Sequence, residues 1–199
     1  MKKLLFLFLN MFMLLTVTSY GNEEKKVLVA YFSLEDIIPE GADAIAHATP
    51  AIGNTKTAAM TIQNFTKGEL FKIETIQKYS VDHQESSSIA GKEMRENIRP
   101  VLSSHIKNMN EYDVVYIGYP IWWGMEPMVI RSFLEEYDFS NKTIIPFCTS
   151  LGVEIQQSEE NIRKLVPKAE VLQGLRLRTG RGNMVDTISE WLKNIGMLN

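Results

Sequence analysis

Cysteine is nearly absent from this chain: Cys148 is the single one among 199 residues. One thiol builds no disulfide framework, and three scattered histidines (His47, His83, His105) leave no ligand set at zinc spacing. A large excess of one charge is also missing. The formal net charge of −3 provides no electrostatic footprint for nucleic acid. With 45% hydrophobic and 23% charged residues, disordered, collagen-like and low-complexity classes are excluded. The N-terminal apolar stretch, Leu4 to Val17, is shorter than the roughly 20 residues of a membrane span.

What is present falls into two parts. Residues 1–21 begin with Lys2 and Lys3, continue through the apolar stretch and end in Ser19-Tyr20-Gly21. A basic start, an apolar core and small residues at −3 and −1 form a secretory signal peptide of Sec type, with cleavage after Gly21. An uncleaved N-terminal anchor is the alternative. Cleavage of 21 residues from 199 leaves 178, residues 22–199, and takes the net charge from −3 to −5. The expectation is an extracytoplasmic (periplasmic or secreted) single domain, with no stable membrane span once the leader is removed.

In residues 22–199, short apolar runs alternate with helical periodicity, which predicts βαβ units and a parallel sheet. Val27 to Phe32, Val114 to Tyr119 and Thr143 to Thr149 read as strands buried on both faces. Glu69 to Thr75 and Val171 to Leu177 complete five. Helices are expected from Thr55 to Gly68, around Ile89 to Ile98, after Pro127, from a cap at Ser158 to Val166, and from Val185 to Ile195. Ser86-Ser87-Ser88 reads as loop. The fold class is α/β, a doubly wound sheet with helices on both faces.

Ligands of such sheets bind beyond the carboxyl ends of the strands, where strand order reverses. Three loops meet there. The first carries Ser33 and then Gly53-Asn54-Thr55-Lys56, which opens a helix. Glycine, two side-chain donors and a helix N-terminus suit a phosphate; a glycine turn with a threonine cap accounts for the same residues. The second is Pro120-Ile121-Trp122-Trp123-Gly124. Its indoles either stack on a planar ligand or close the end of the core. The third, Thr149-Ser150-Leu151-Gly152-Val153, adds hydroxyls and a glycine.

Taken in this order the loops resemble those of the flavodoxin family, and most closely a bacterial flavodoxin-like branch. The matching pieces are Val29-Ala30-Tyr31-Phe32-Ser33, Gly53-Asn54-Thr55, Gly118-Tyr119-Pro120-Ile121-Trp122-Trp123-Gly124, Ser132-Phe133-Leu134-Glu135, Tyr137-Asp138-Phe139-Ser140 and Ile145-Pro146-Phe147. The resemblance implies strand order 2-1-3-4-5 and one bound flavin mononucleotide (FMN). It implies that Ser33, Gly53, Asn54 and Thr55 hold the phosphate without a metal. Pro120, Ile121, Trp122, Trp123 and Gly124 would lie along the isoalloxazine ring, with Thr149, Ser150, Leu151 and Gly152 on its other side. Two features depart from the pattern. Residues 34–52 form an insertion between the first strand and the phosphate turn, and Thr149-Ser150-Leu151-Gly152-Val153 stands where the branch often has Thr-His-Gly-Gly-Ser.

Other signals carry less. Gly180-Arg181-Gly182 follows the last strand and lacks the third glycine of a dinucleotide fingerprint, so it reads as a turn. Cys148, inside a strand with no CxxC partner, reads as a core thiol. The expected function is an exported electron-transfer flavoprotein with no catalytic side chain, exchanging electrons with a redox partner protein or a small donor or acceptor. An FMN-dependent NAD(P)H or quinone-type reductase, and a flavodoxin-fold binding module without flavin, are the alternatives.

Overall fold

The computed structural model describes residues 25–34, 54–80, 82–178 and 183–198. The leader, the insertion beyond Leu34, His47, Gly53 and the Gly180–Gly182 turn lie outside the described residues.

Among the described residues six strands, β1 (Val27–Tyr31), β2 (Glu69–Lys72), β3 (Val114–Pro120), β4 (Thr143–Ser150), β5 (Glu170–Val171) and β6 (Leu175–Arg178), form one parallel sheet. Its order is β2-β1-β3-β4-β5, with β6 also on β4. The helices are α1 (Asn54–Thr66), α2 (His83–Glu96), α3 (Met128–Glu136), α4 (Gln156–Leu165) and α5 (Met184–Asn194). This is the doubly wound arrangement expected from the alternation of apolar runs and helical stripes.

The apolar runs are continuous because both sheet faces are covered. Along β1, Leu28 and Ala30 pack with Val129, Ile130 and Phe133 of α3 and Ile162 of α4. Val29 and Tyr31 face the other way, onto Ala58, Ala59 and Ile62 of α1 and Ile188 and Leu192 of α5. Residues 28–31 of β1 are therefore buried whichever way they point. In the centre, Gly118 lies opposite Phe147 in register, and a Cβ there would come 2.1 Å from the Phe147 ring.

Four expectations change. The second strand stops at Lys72; the chain then turns from β1, and Ile76 N–H donates to Val101 O beside an antiparallel Thr75–Leu102 bridge. The serine run is helical, since α2 starts at His83. Asp82 caps it by accepting from Glu85 N at 2.8 Å, and the buried Ser86 hydroxyl donates to Ser80 O. Ser158 is not a cap but a buried residue inside α4, whose N-cap position is held by Ile155. The fifth strand is broken between β5 and β6. Across the gap, Gly174 N donates to Glu159 Oε1 at 2.7 Å and Gln173 O accepts from Trp191 Nε1 at 3.2 Å. Those side chains satisfy the backbone groups that the ladder leaves free.

Candidate functional site

At the carboxyl end of the sheet, β1 leads to Ser33, β3 to Pro120 and β4 to Ser150, and α1 starts beside them. Thr55, in the first turn of α1, is only 2% exposed. Its hydroxyl lies 2.8 Å from that of Thr149, also buried, which joins the first and third loops across 94 residues of sequence. The second loop is tied to the third by Ile121 N donating to Thr149 O at 3.0 Å. Ser33 is buried at the end of β1, its hydroxyl making a 3.4 Å contact to Leu34 O. Asn54 is exposed at the helix start, and the first turn of α1 contains no acidic residue. Hydroxyls beside a helix N-terminus that carries no anion of its own form an environment that favours a bound anion.

The second loop divides its two tryptophans. Trp122 and Met125 exchange N–H···O bonds of 2.9 and 3.1 Å, closing a two-residue turn over Trp123 and Gly124. Both central residues are left-handed, at φ +50° and +85°, as a type I′ turn demands. Trp122 packs edge-on to Phe32 and Tyr79, at centroid distances of 5.3 and 5.1 Å. Trp123 is 54% exposed; its Nε1 donates to Ser87 O at 2.9 Å, and its ring covers Gly91 of α2 so closely that a Cβ there would come within 3.0 Å. Thus Trp122 closes the core while Trp123 stands at the rim. Beside the pair lies a cavity of about 340 Å³, lined by Leu34, Ser86, Ser87, Ile121 and both tryptophans.

In the third loop the Ser150 hydroxyl accepts from Gly152 N at 3.3 Å and Val153 N at 2.9 Å, shaping a tight bend. Leu151 is 78% exposed, and Gly152, like Gly124, has open space where a Cβ would stand. Thr55 and Thr149 therefore meet with the Pro120–Ile121 backbone beside them, and Ser33 is buried at the end of β1. Trp123 is drawn onto α2, and Leu151 points into open space. Among the described residues no cluster of histidine, cysteine and carboxylates has metal-site geometry.

Burial sets the titration of groups around this edge. Burial, then the adjacent Glu93 carboxylate, pushes the Tyr79 phenol far up, and burial raises Glu93 as well; the two share a 2.8 Å hydrogen bond. Burial lifts the Cys148 thiol to about 12, so it is a protonated core group. Glu126, directly after the tryptophan turn, is buried and is not marked by any of the three loop motifs. The signal available was an acidic residue between Met125 and Pro127, where an apolar helix follows a buried strand.

A family model described as Flavodoxin matches residues 26–195. The chain belongs to the flavodoxin family. Among solved structures, a provisionally named flavoprotein from Bacteroides eggerthii DSM 20697 is 33% identical. That match covers 86% of this chain and 98% of the other, with a TM-score of 0.69. A similarly named protein from Bacteroides uniformis ATCC 8492 is 31% identical over 86% and 99%, with a TM-score of 0.68. A Lactobacillus acidophilus NCFM flavoprotein, solved in complex with FMN, shares the fold at 22% identity, 76% and 93% coverage and a TM-score of 0.59. Among curated proteins, none matches this chain. This flavodoxin-like chain thus has the expected strand order and flavoprotein relatives.

Proposed function

We propose that this protein binds FMN at the carboxyl edge of its sheet and acts in electron transfer outside the cytoplasm. The observation that carries the reading is the buried Thr55–Thr149 hydroxyl pair at the start of α1, with Ser33 buried at the end of β1 and a left-handed Trp123-Gly124 turn in the second loop. These residues fit the cofactor. Ser33, Asn54, Thr55 and the first N–H groups of α1 would hold the phosphate. Open space beside Gly124 and Gly152 leaves backbone free to approach a ring edge. When bound, FMN supplies the electron-transfer chemistry; the chain supplies binding, orientation and exclusion of water. Trp122, held by Phe32 and Tyr79, fixes the wall, and Leu151 is free to cover the ring's outer face.

The leader supports export of an unfolded chain, which would acquire FMN after translocation. A second reading, an FMN-dependent reductase of small acceptors, is favoured by the 340 Å³ cavity beside the tryptophans, which is large enough for a small planar molecule. The absorbance spectrum of purified residues 22–199, with and without added FMN, tests the binding. Neither colour nor quenching of flavin fluorescence would refute it and favour a binding module without flavin. A stepwise reductive titration with little NAD(P)H oxidation supports the carrier; rapid NAD(P)H oxidation with a quinone acceptor supports the reductase. N-terminal sequencing of the exported protein tests cleavage after Gly21.

A further inference from the structure

Glu126 is 1% exposed, which a carboxylate tolerates only when its oxygens are paired. Oε1 accepts from Arg131 Nε at 2.8 Å, with Arg131 Nη2 also 2.8 Å from it. Oε2 accepts from Ser158 Oγ at 3.0 Å, and Asn161 Nδ2 lies 3.2 and 3.1 Å from the two oxygens. These donors belong to two helices, Arg131 to α3 and Ser158 and Asn161 to α4. Glu126 itself directly follows the Trp122–Met125 turn, and α4 directly follows the third loop. One carboxylate therefore ties the end of the tryptophan turn to the first two turns of the helix that follows the third loop.

We infer that Glu126 is a positioning residue that locks the second and third loops into one rigid pair of walls, setting the width of the slot for the flavin ring. The inference rests on the FMN reading for its ligand but not for the lock itself. Charge-assisted hydrogen bonds are short and directional, so this carboxylate fixes where α4 and the tryptophan turn stand relative to each other. An apolar side chain of similar size would fill the space without fixing that geometry. Arg131 also reaches Met125 Sδ at 3.4 Å, which holds the end of the turn to the same group.

Hydrogen exchange of the FMN-free protein and FMN titration test it together. In Glu126→Leu/Arg131→Met, where no buried charge is left unpaired, we expect near-native unfolding midpoints. Exchange should be at least tenfold faster at Trp122 and Met125 and also at Gly152 and Val153, with the FMN Kd raised at least tenfold. Asn161→Ala, a milder change, should accelerate both loops to a smaller extent. Native exchange rates in either loop of the double variant, or, where the wild type binds FMN, an FMN Kd of the double variant equal to the wild type's, would overturn the inference. Should the double variant fail to fold, Asn161→Ala decides on the same exchange rates. A wild type that fails to bind FMN refutes the proposed function, while the exchange rates still decide the lock.

Discussion

The hydroxyl pair of Thr55 and Thr149 separates a stabilising role from a binding role. At 2.8 Å and buried on both sides, it is a full hydrogen bond in a dry setting. Replacing either threonine by valine keeps the shape but strands the other hydroxyl, which costs about 1–3 kcal/mol; replacing both removes the pair and is close to neutral. Urea unfolding of the FMN-free wild type, Thr55→Val, Thr149→Val and the double variant should yield a coupling energy of about 2–6 kcal/mol, the sum of the two single losses that the double variant avoids. Affinity should behave differently. A hydroxyl hydrogen-bonded to a charged group contributes about 1.5–3 kcal/mol, so losing Thr55 should weaken FMN tenfold or more in the single and double variants alike. Thr149→Val alone should weaken it less, since its hydroxyl orients Thr55. Riboflavin, which has no phosphate, should bind all four proteins equally. Stability restored by the double substitution without restored FMN affinity is the expected signature. A double variant that binds FMN like wild type would show that the hydroxyls are not phosphate donors, and additive stability losses would show that they are not a pair.

Three further outcomes follow from the same geometry. Trp122→Ala should cost about 3 kcal/mol of stability, as an aromatic deletion in a packed core does, whereas Trp123→Ala should cost about 1 kcal/mol and lower FMN affinity about tenfold; equal losses in urea unfolding would contradict the division of core and rim. Cys148 should stay unreactive to a disulfide reagent at pH 8 until the protein is unfolded, because burial holds its thiol near 12; rapid labelling of the native protein would refute this. The Arg99 side chain, bonded to both Glu135 oxygens at 2.7 Å, holds that carboxyl below its usual 4.5. Its stabilisation is present above pH 4.5 and is lost as pH falls through the lowered native value, so the gap in unfolding midpoint between wild type and Glu135→Gln should shrink in acid; a constant gap would refute it.

The residues that encode the sheet are readable locally because burial on both faces makes a strand predominantly apolar. Val27 to Tyr31, Val114 to Tyr119 and Thr143 to Thr149 are such runs, and the parallel sheet with loops at its carboxyl edge follows from their alternation with helices; the strand order is what the flavodoxin resemblance implies. The apolar stripe behind Pro127 and the one ending at Ile195 are equally local, since each presents one face to one side of the sheet.

Other features depend on partners remote in sequence. Ser86 is helical because its hydroxyl finds Ser80 O and the Asp82 cap starts the turn, although a serine run by itself favours loop. Ser158 resembles a cap until a carboxylate 32 residues earlier is folded against it. Adjacent tryptophans are equivalent as letters. A left-handed two-residue turn sends one onto Phe32 and Tyr79 and the other onto α2, and only the tertiary contacts reveal which is which. The sequence by itself determined the kind of sheet and which loops would meet, because hydrophobic periodicity is a property of each segment. The tertiary structure decided which polar groups are buried and what satisfies them, because a hydrogen bond needs two partners and their distance along the chain does not specify their meeting.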